Sequence, residues 1–421
     1  MSTGGIERSR LSSGVRVVTE SLPVLRSVAV GVWVGTGSRD EACDDAGASH
    51  FLEHLLFKGT ERRTAAGIAQ DVESVGGDMN AFTAQEVTAY YVRVPDVCLT
   101  LALDIMSDIV WAPALRGEDV DAERQVILEE IRMRDDTPED LVHDVFSDAV
   151  FPEHPIGRDV IGSPASITQM SRDQISEFHE RHYHPSNVVV AAAGNLEHNC
   201  VVDLVEAGLA RASGTRPPRE AYQGEPPPRR LVVHERDTEQ AHIVLGMRAL
   251  PRDDPDRYAL GVLNQVLGGG MSSRLFQEVR EERGLAYSVY SYRSAYEETG
   301  TLAVSAGTAP ERVDELLGVI DAQLERIVGD GGVSTGELDA AKGHLQGSLA
   351  LSLESSASRM HRLGRSELTL DEVPTLDELV ADLEAVTADD IGRVVERVVA
   401  TEDRTLAVVG PFSEQHFAGR S

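Results

Sequence analysis

The sequence predicts an α+β protein of two homologous domains, each a mostly antiparallel sheet packed with helices. Three observations carry that expectation. The run from Ser213 to Arg230, SGTRPPREAYQGEPPPRR, holds five prolines and two glycines, so it cannot continue a helix or a central strand. An ungapped offset of 215 residues places Val17 on Val232, Glu20 on Glu235, Val28 on Ile243 and Gly31 on Gly246. The halves also end alike. SRDQISEFHERHYHPSNVVVAAAGN from Ser171 and TADDIGRVVERVVATEDRTLAVVGP from Thr387 each show an N-cap residue, an amphipathic helix, a break and an apolar strand. Domains are therefore expected at 1–212 and 231–421, joined by a proline-rich linker at 213–230.

Taken in order, Val17-Val18-Thr19-Glu20 opens a strand, and Val28, Val30, Val32 and Val34 alternate as on a half-buried strand. His50-Phe51-Leu52-Glu53-His54 falls on a helix. Asn80-Ala81-Phe82-Thr83 opens a strand-like run ending in VTAYYVRV. The segment Gly117 to Asp136, GEDVDAERQVILEEIRMRDD, is an acidic-start amphipathic helix. In the second half, Val232-Val233-His234-Glu235 and then Ile243, Leu245 and Met247 repeat the opening strands. The offset sets His50, Glu53 and His54 on Gln265, Gly268 and Gly269, so the second domain is expected to hold no metal. Its Gly268-Gly269-Gly270 turn lacks the GxxxxGK[ST] spacing and lysine of a nucleotide cradle.

Composition sets bounds around this. With 421 residues, 41% of them hydrophobic and 26% charged, the chain belongs with globular proteins that bury real cores. Lys plus Arg number 39 against 70 Asp plus Glu, a formal net charge of -31. That balance argues against nucleic acid and anionic membrane surfaces as partners and favours cationic ones. Cys43, Cys98 and Cys200 are scattered and odd in number, which argues against a disulfide framework or a cysteine zinc site. Cys43 is expected as a small buried residue. The N-terminus lacks an apolar signal core, and no window approaches 18 uninterrupted apolar residues, so a cytoplasmic setting without a membrane span is expected.

The chemistry concentrates in His50-Phe51-Leu52-Glu53-His54. On a helix, positions i and i+4 share a face, so both imidazoles can reach one metal. Glu53 sits on that face and can take the proton of a water held there. This is the HxxEH order, the reverse of HExxH. A catalytic zinc usually takes three protein ligands and leaves a fourth position open, so a third ligand is expected from elsewhere. Glu123 and Glu130 lie seven apart on the Gly117–Asp136 helix, with Ile127 between them. Two carboxylates on an apolar face need an explanation, since unpaired buried charge is costly. One as ligand and one as partner of a ligating histidine would supply it. Spacing alone leaves Glu129 and Glu130 both open. A second cluster, His179, His182 and His184, runs into Pro185 and reads as a structural helix end.

ASHFLEHLLFKGT, GGDMNAFTAQEVTAYY, ERQVILEEI and LGGGMSSRLFQEVREERGLAYSVYSY together resemble the pitrilysin-type metallopeptidases. The nearest branch is that of mitochondrial processing peptidase and its bacterial relatives, and the resemblance covers nearly the whole chain. It implies a zinc endopeptidase with one Zn2+ per chain, bound by His50, His54 and a glutamate 76 residues after His54, which is Glu130. It makes Glu53 the general base that activates the attacking water, with Glu123 as the supporting acid seven before the ligand. It also implies that Asn80, Ala81 and Phe82 lie on the edge strand to which an extended peptide adds. Arg280 and Tyr287 match a pair that helps hold the peptide. Substrates are expected to be short or unfolded peptides, basic ones if the acidic charge lines a closed chamber. A homodimer is favoured over a heterodimer with a metal-free homologue, because this chain carries both the zinc motif and the Arg/Tyr pair. The competing reading is a non-catalytic structural or assembly subunit, although such relatives typically have a degraded zinc motif.

Overall fold

The computed structural model describes residues 5–208, 219, 226–329 and 332–420. The chain divides into two compact units: Met1–Ile131 with Asp159–Ala221 and Leu351–Pro374, and Arg132–Arg158 with Tyr222–Ala350 and Thr375–Ser421. Of the expected linker 213–230, only residues 219 and 226–230 fall among those described.

The first unit has strands β1 (Ile6–Arg10), β2 (Arg16–Ser21), β3 (Ser27–Val34), β4 (Asp78–Thr83), β5 (Thr88–Pro95) and β6 (Val188–Gly194). They form one sheet in the order β1-β2-β6-β3-β5-β4, antiparallel except for the parallel pair β2 and β6. Helices α1 (Ala48–Leu56), α2 (Ala65–Glu73), α3 (Leu99–Trp111) and α4 (Gly117–Asp135) belong here by sequence. The second unit receives α5 (Pro138–Val150), and the first resumes with α6 (Pro164–Gln169), α7 (Arg172–His182) and α8 (His198–Gly208). The second sheet has strands β7 (Leu231–Glu235), β8 (Ala241–Ala249), β9 (Ala286–Ala295), β10 (Gly300–Thr308) and β11 (Thr405–Gly410), in the order β7-β11-β8-β10-β9. Its parallel pair is β11 and β7. Substituting β7, β11, β8, β10 and β9 for β2, β6, β3, β5 and β4 turns one order into the other. The sequence repeat is thus a repeat of topology, with β1 added at the first sheet's edge.

Helices α9 (Arg257–Gly268), α10 (Val313–Val328) and α11 (Thr335–Ser352) continue the second half. Next comes α12 (Ser356–Leu370), which belongs to the first unit, and then α13 (Leu376–Ala385) and α14 (Ala388–Val394). The domains expected at 1–212 and 231–421 are therefore corrected: α5 and α12, equivalent in the repeat, have each gone to the other half's sheet.

Burial explains the exchange. Val28, Val30, Val32 and Val34 of β3 enter the core that holds Phe51, Leu52 and Leu55 of α1. Ala29 and Trp33, on the opposite face, pack with Met360 and Leu363 of α12. The expected half-buried strand is thus buried on both faces, since the residues between its valines are apolar and need a cover of their own. In the second unit, Ile243 and Leu245 of β8 face one core, and Val244 packs with Leu141, Val142 and Phe146 of α5. The repeat-related Gly31 and Gly246 mark both crossings. A Cβ at Gly31 would stand 2.4 Å from Met360 Sδ, and one at Gly246 would stand 2.7 Å from Phe146 Cζ.

The run from Asn80 through VTAYYVRV is two strands, not one: β4 and β5 pair antiparallel around the turn that follows Thr83. Cys43 is also corrected. It is exposed, because its Cys-Asp-Asp stretch is a single 3-10 turn with no apolar face to bury.

Candidate metal centre

Helix α1 is anchored by Phe51, Leu52, Leu55 and Leu56, which are almost wholly buried and occupy one side of it. The opposite side carries His50, Glu53 and His54, all half-buried. The two imidazoles meet edge to face with centroids 4.7 Å apart, as the i, i+4 spacing requires.

Helix α4 supplies the carboxylates. Val120, Glu123, Ile127 and Ile131 form its buried stripe, and Arg124 lies over the Phe51 ring of α1 at 5.6 Å. This register brings Glu130 to the histidines, while Glu129 faces solvent. Glu130 Oε2 stands 3.8 Å from His50 Nε2 and 3.6 Å from His54 Nε2. That oxygen is buried and has no hydrogen-bond partner. Ligand atoms on a tetrahedral zinc stand roughly 3.4 Å apart if each bond is about 2.1 Å, so two nitrogens and one oxygen at these separations fit the ion. An orphaned carboxylate oxygen facing two imidazoles is otherwise hard to account for. The three residues present one ligand atom each, all within 4.8 Å of one another.

The surroundings orient these groups. Glu123 Oε2 accepts from His54 Nδ1 at 3.1 Å, which leaves Nε2 as the lone-pair nitrogen aimed at Glu130. The other Glu123 oxygen pairs with Lys58 Nζ at 2.6 Å, so this acid, only 5% exposed, is not left as an unpaired charge. Thr83 Oγ1, at the end of β4, donates to Glu53 Oε2 at 2.6 Å. Burial holds the His50 imidazole down at about 4, helped by His54, so it is neutral and able to ligate at neutral pH. Burial pushes the Glu53 carboxyl up, with the nearby Glu130 charge adding to it and the Thr83 hydrogen bond and His54 opposing.

The other expected site residues are placed as follows. Asn80, Ala81 and Phe82 lie on β4, the edge strand of the first sheet. Phe82 faces the α12 side, 5.6 Å from the Trp33 ring. Arg280 and Tyr287 belong to the second unit and touch each other, the guanidinium lying 4.5 Å over the tyrosine ring. Tyr287 is 81% exposed. His179 Nε2 bonds the Val110 carbonyl at 2.9 Å, and His182 is buried against Phe178, the packing of a helix end. Gly268 and Gly269 pack tightly, since a Cβ would lie 2.4 Å from the Ser291 amide at the first and 2.4 Å from Gln265 Oε1 at the second. Sequence reasoning missed Lys58 and Thr83 as partners. A signal existed for Lys58, which falls four after His54 in the same motif run. None existed for Thr83, whose partner is thirty residues away.

The chain is similar to known proteins along most of its length. Residues 16–163 match the insulinase family, peptidase family M16, and residues 169–345 match the peptidase M16 inactive domain. The chain is 45% identical to an uncharacterized zinc protease of Streptomyces coelicolor, covering 98% of this chain and 91% of that one. It is 47% identical to one of Mycobacterium tuberculosis, over 97% and 94% of the two chains. With an uncharacterized zinc protease of Bacillus subtilis the identity is 39%, over 96% and 98%. Among solved structures, a protease from Helicobacter pylori superposes with a TM-score of 0.92 at 25% identity, covering 97% of this chain and all of the other. An M16-like peptidase from Alicyclobacillus acidocaldarius shares the fold with a TM-score of 0.86 at 22% identity, over 96% and 98%.

Proposed function

We propose, from the premise that this chain belongs to the M16 peptidase family, that it is a zinc-dependent endopeptidase acting on short or unfolded peptides. The observation that carries the reading is the convergence of His50 Nε2, His54 Nε2 and the unpartnered Glu130 Oε2, with Glu53 on the same helix face. His50, His54 and Glu130 would hold the ion. When bound, zinc polarises the scissile carbonyl and acidifies the attacking water. Glu53 takes that proton: Thr83 occupies Oε2, and Oε1 is the receiving atom. Glu123 keeps His54 in the tautomer that ligates, and Lys58 pairs with the other Glu123 oxygen.

The free edge of β4, through Asn80, Ala81 and Phe82, takes the peptide as an added strand by backbone hydrogen bonds. Arg280 and Tyr287 help hold it. The working assembly is a homodimer that closes a chamber, because each chain carries both the metal motif and the Arg/Tyr pair. What supports these last roles is resemblance, together with the exposure of Asn80 and Tyr287.

A Glu53→Gln variant tests the reading. It is expected to keep about one zinc per chain and to lose roughly 100- to 10,000-fold in kcat on a peptide library. Undiminished hydrolysis would remove Glu53 from the mechanism. Parent protein that takes up no zinc would favour the alternative of a non-catalytic assembly subunit.

A further inference from the structure

Helix α1 begins in a way its own sequence cannot stabilise. Its N-cap residue, Gly47, has φ +94° and no side chain to offer. A Cβ there would stand 2.6 Å from Ile167 Cδ1 and 2.8 Å from the Ile161 carbonyl oxygen, so serine, threonine and aspartate are all excluded. The amides at the helix start are met from the preceding loop instead. Glu41 Oε2 accepts from the Gly47 amide at 2.8 Å, and Oε1 accepts from the Ser49 amide at 2.7 Å. Glu41 is 6% exposed, so both bonds to its carboxylate form away from water, where charge-assisted bonds are strong.

The loop that carries Glu41 is itself fixed. The amides of Ser38 and Arg39 donate to the carbonyls of Ala84 and Gln85 at 3.2 and 2.8 Å. Arg39 Nη1 pairs with Glu86 Oε1 at 2.5 Å, and Arg219 bonds both Asp40 oxygens at 2.7 Å. Residues 84–87 form the turn between β4 and β5. One loop therefore joins the start of the histidine-bearing helix to the hairpin whose Thr83 touches Glu53.

Charge gives the arrangement a chemical consequence. His50 is the third residue of α1, within the first turn, where the aligned peptide dipoles leave about half a positive charge. A divalent cation held by His50 would be set against that charge, which a carboxylate at the helix start offsets.

We propose that Glu41 is a positioning residue of the metal centre: it fixes the start of α1 and offsets the helix's positive end, so that His50, Glu53 and His54 keep their orientation with a cation bound. This rests on the zinc reading above.

The test measures zinc affinity by chelator competition and records the visible d–d spectrum of the cobalt-substituted protein, for parent, Glu41→Gln and Glu41→Asp. Glu41→Gln keeps an acceptor but loses the charge, and is expected to lose roughly 10- to 100-fold in zinc affinity with altered cobalt bands. Glu41→Asp keeps the charge one methylene short and should fall between. A Glu41→Gln protein that melts lower yet binds zinc with parental affinity and gives the parental cobalt spectrum overturns the proposal, because a purely structural cap would behave that way. Should Glu41→Gln fail to fold, Glu41→Asp decides by the same two readouts. Parent protein that takes up neither zinc nor cobalt overturns the zinc reading and this proposal with it, a result distinct from the first.

Discussion

At Glu123 one carboxylate serves a base on each side, His54 Nδ1 at 3.1 Å and Lys58 Nζ at 2.6 Å. Replacing it by alanine releases the imidazole and strands the ammonium beside a half-buried site. Zinc affinity is expected to fall roughly 10- to 100-fold, measured by chelator competition, with Glu123→Gln less affected because an acceptor remains. Thr83 touches no proposed ligand, so its removal should separate chemistry from metal binding. Thr83→Val is expected to leave zinc content unchanged and to lower kcat about fivefold, the worth of one net hydrogen bond. A loss of zinc from that variant would assign Thr83 to the metal instead. Much of this site was legible in the sequence, since His50, Glu53 and His54 share a helix face by spacing alone. Glu130 could not be separated from Glu129 that way: neighbours on a helix differ only in what they face. Thr83 and Glu41 were illegible as partners, because each reaches its contact through the fold.

Between elements, the close approach of α12 to β3 can be set against intrinsic preference. Gly364 lies inside α12, where alanine would ordinarily stabilise the helix by about 1 kcal/mol. A Cβ there would stand 2.1 Å from Trp33 Nε1, and a buried indole has little room to move. Overpacking typically costs about 1–3 kcal/mol, so Gly364→Ala is expected to be net destabilising in urea unfolding. The start of α11 supplies a pH prediction. Glu337 accepts from Arg274 Nε at 2.6 Å and from the Ser334 amide at 2.9 Å, and these bonds, Arg274's foremost, hold its carboxyl down at about 2. A carboxylate held below its ordinary 4.5 contributes stability that is complete above that value and is lost as pH falls toward about 2. Glu337→Gln should therefore flatten the parental decline in urea midpoint across that window and no other. The cap at Ser334 is short-range and readable in sequence, whereas its arginine, 63 residues before Glu337 in the LGGGMSSRLF run, is not.

For the whole molecule, the exchange of α5 and α12 predicts that the sequence halves are not independent. A fragment of residues 1–212 lacks α12 and would expose Ala29, Trp33 and Ala191 of its sheet. It is expected to aggregate or to bind a hydrophobic dye when made alone, and to recover a cooperative transition when made together with the second half. A soluble fragment 1–212 with the native transition would contradict this. The net charge of -31 predicts faster hydrolysis of basic than of acidic peptides at low salt. The gap should close as the screening length falls from about 10 Å at 0.1 M to about 3 Å at 1 M. Equal rates at low salt would place the excess acid away from the substrate path. The sequence by itself determined the duplicated α+β plan, the strands that open and close each half and the HxxEH helix, because periodicity, spacing and internal repetition are properties of neighbours in the chain. Only the tertiary structure decided which glutamate meets the imidazoles, which helix closes which sheet and which acid caps α1. Those outcomes turn on which buried surfaces and unpaired polar groups find each other in three dimensions, and no local pattern records that.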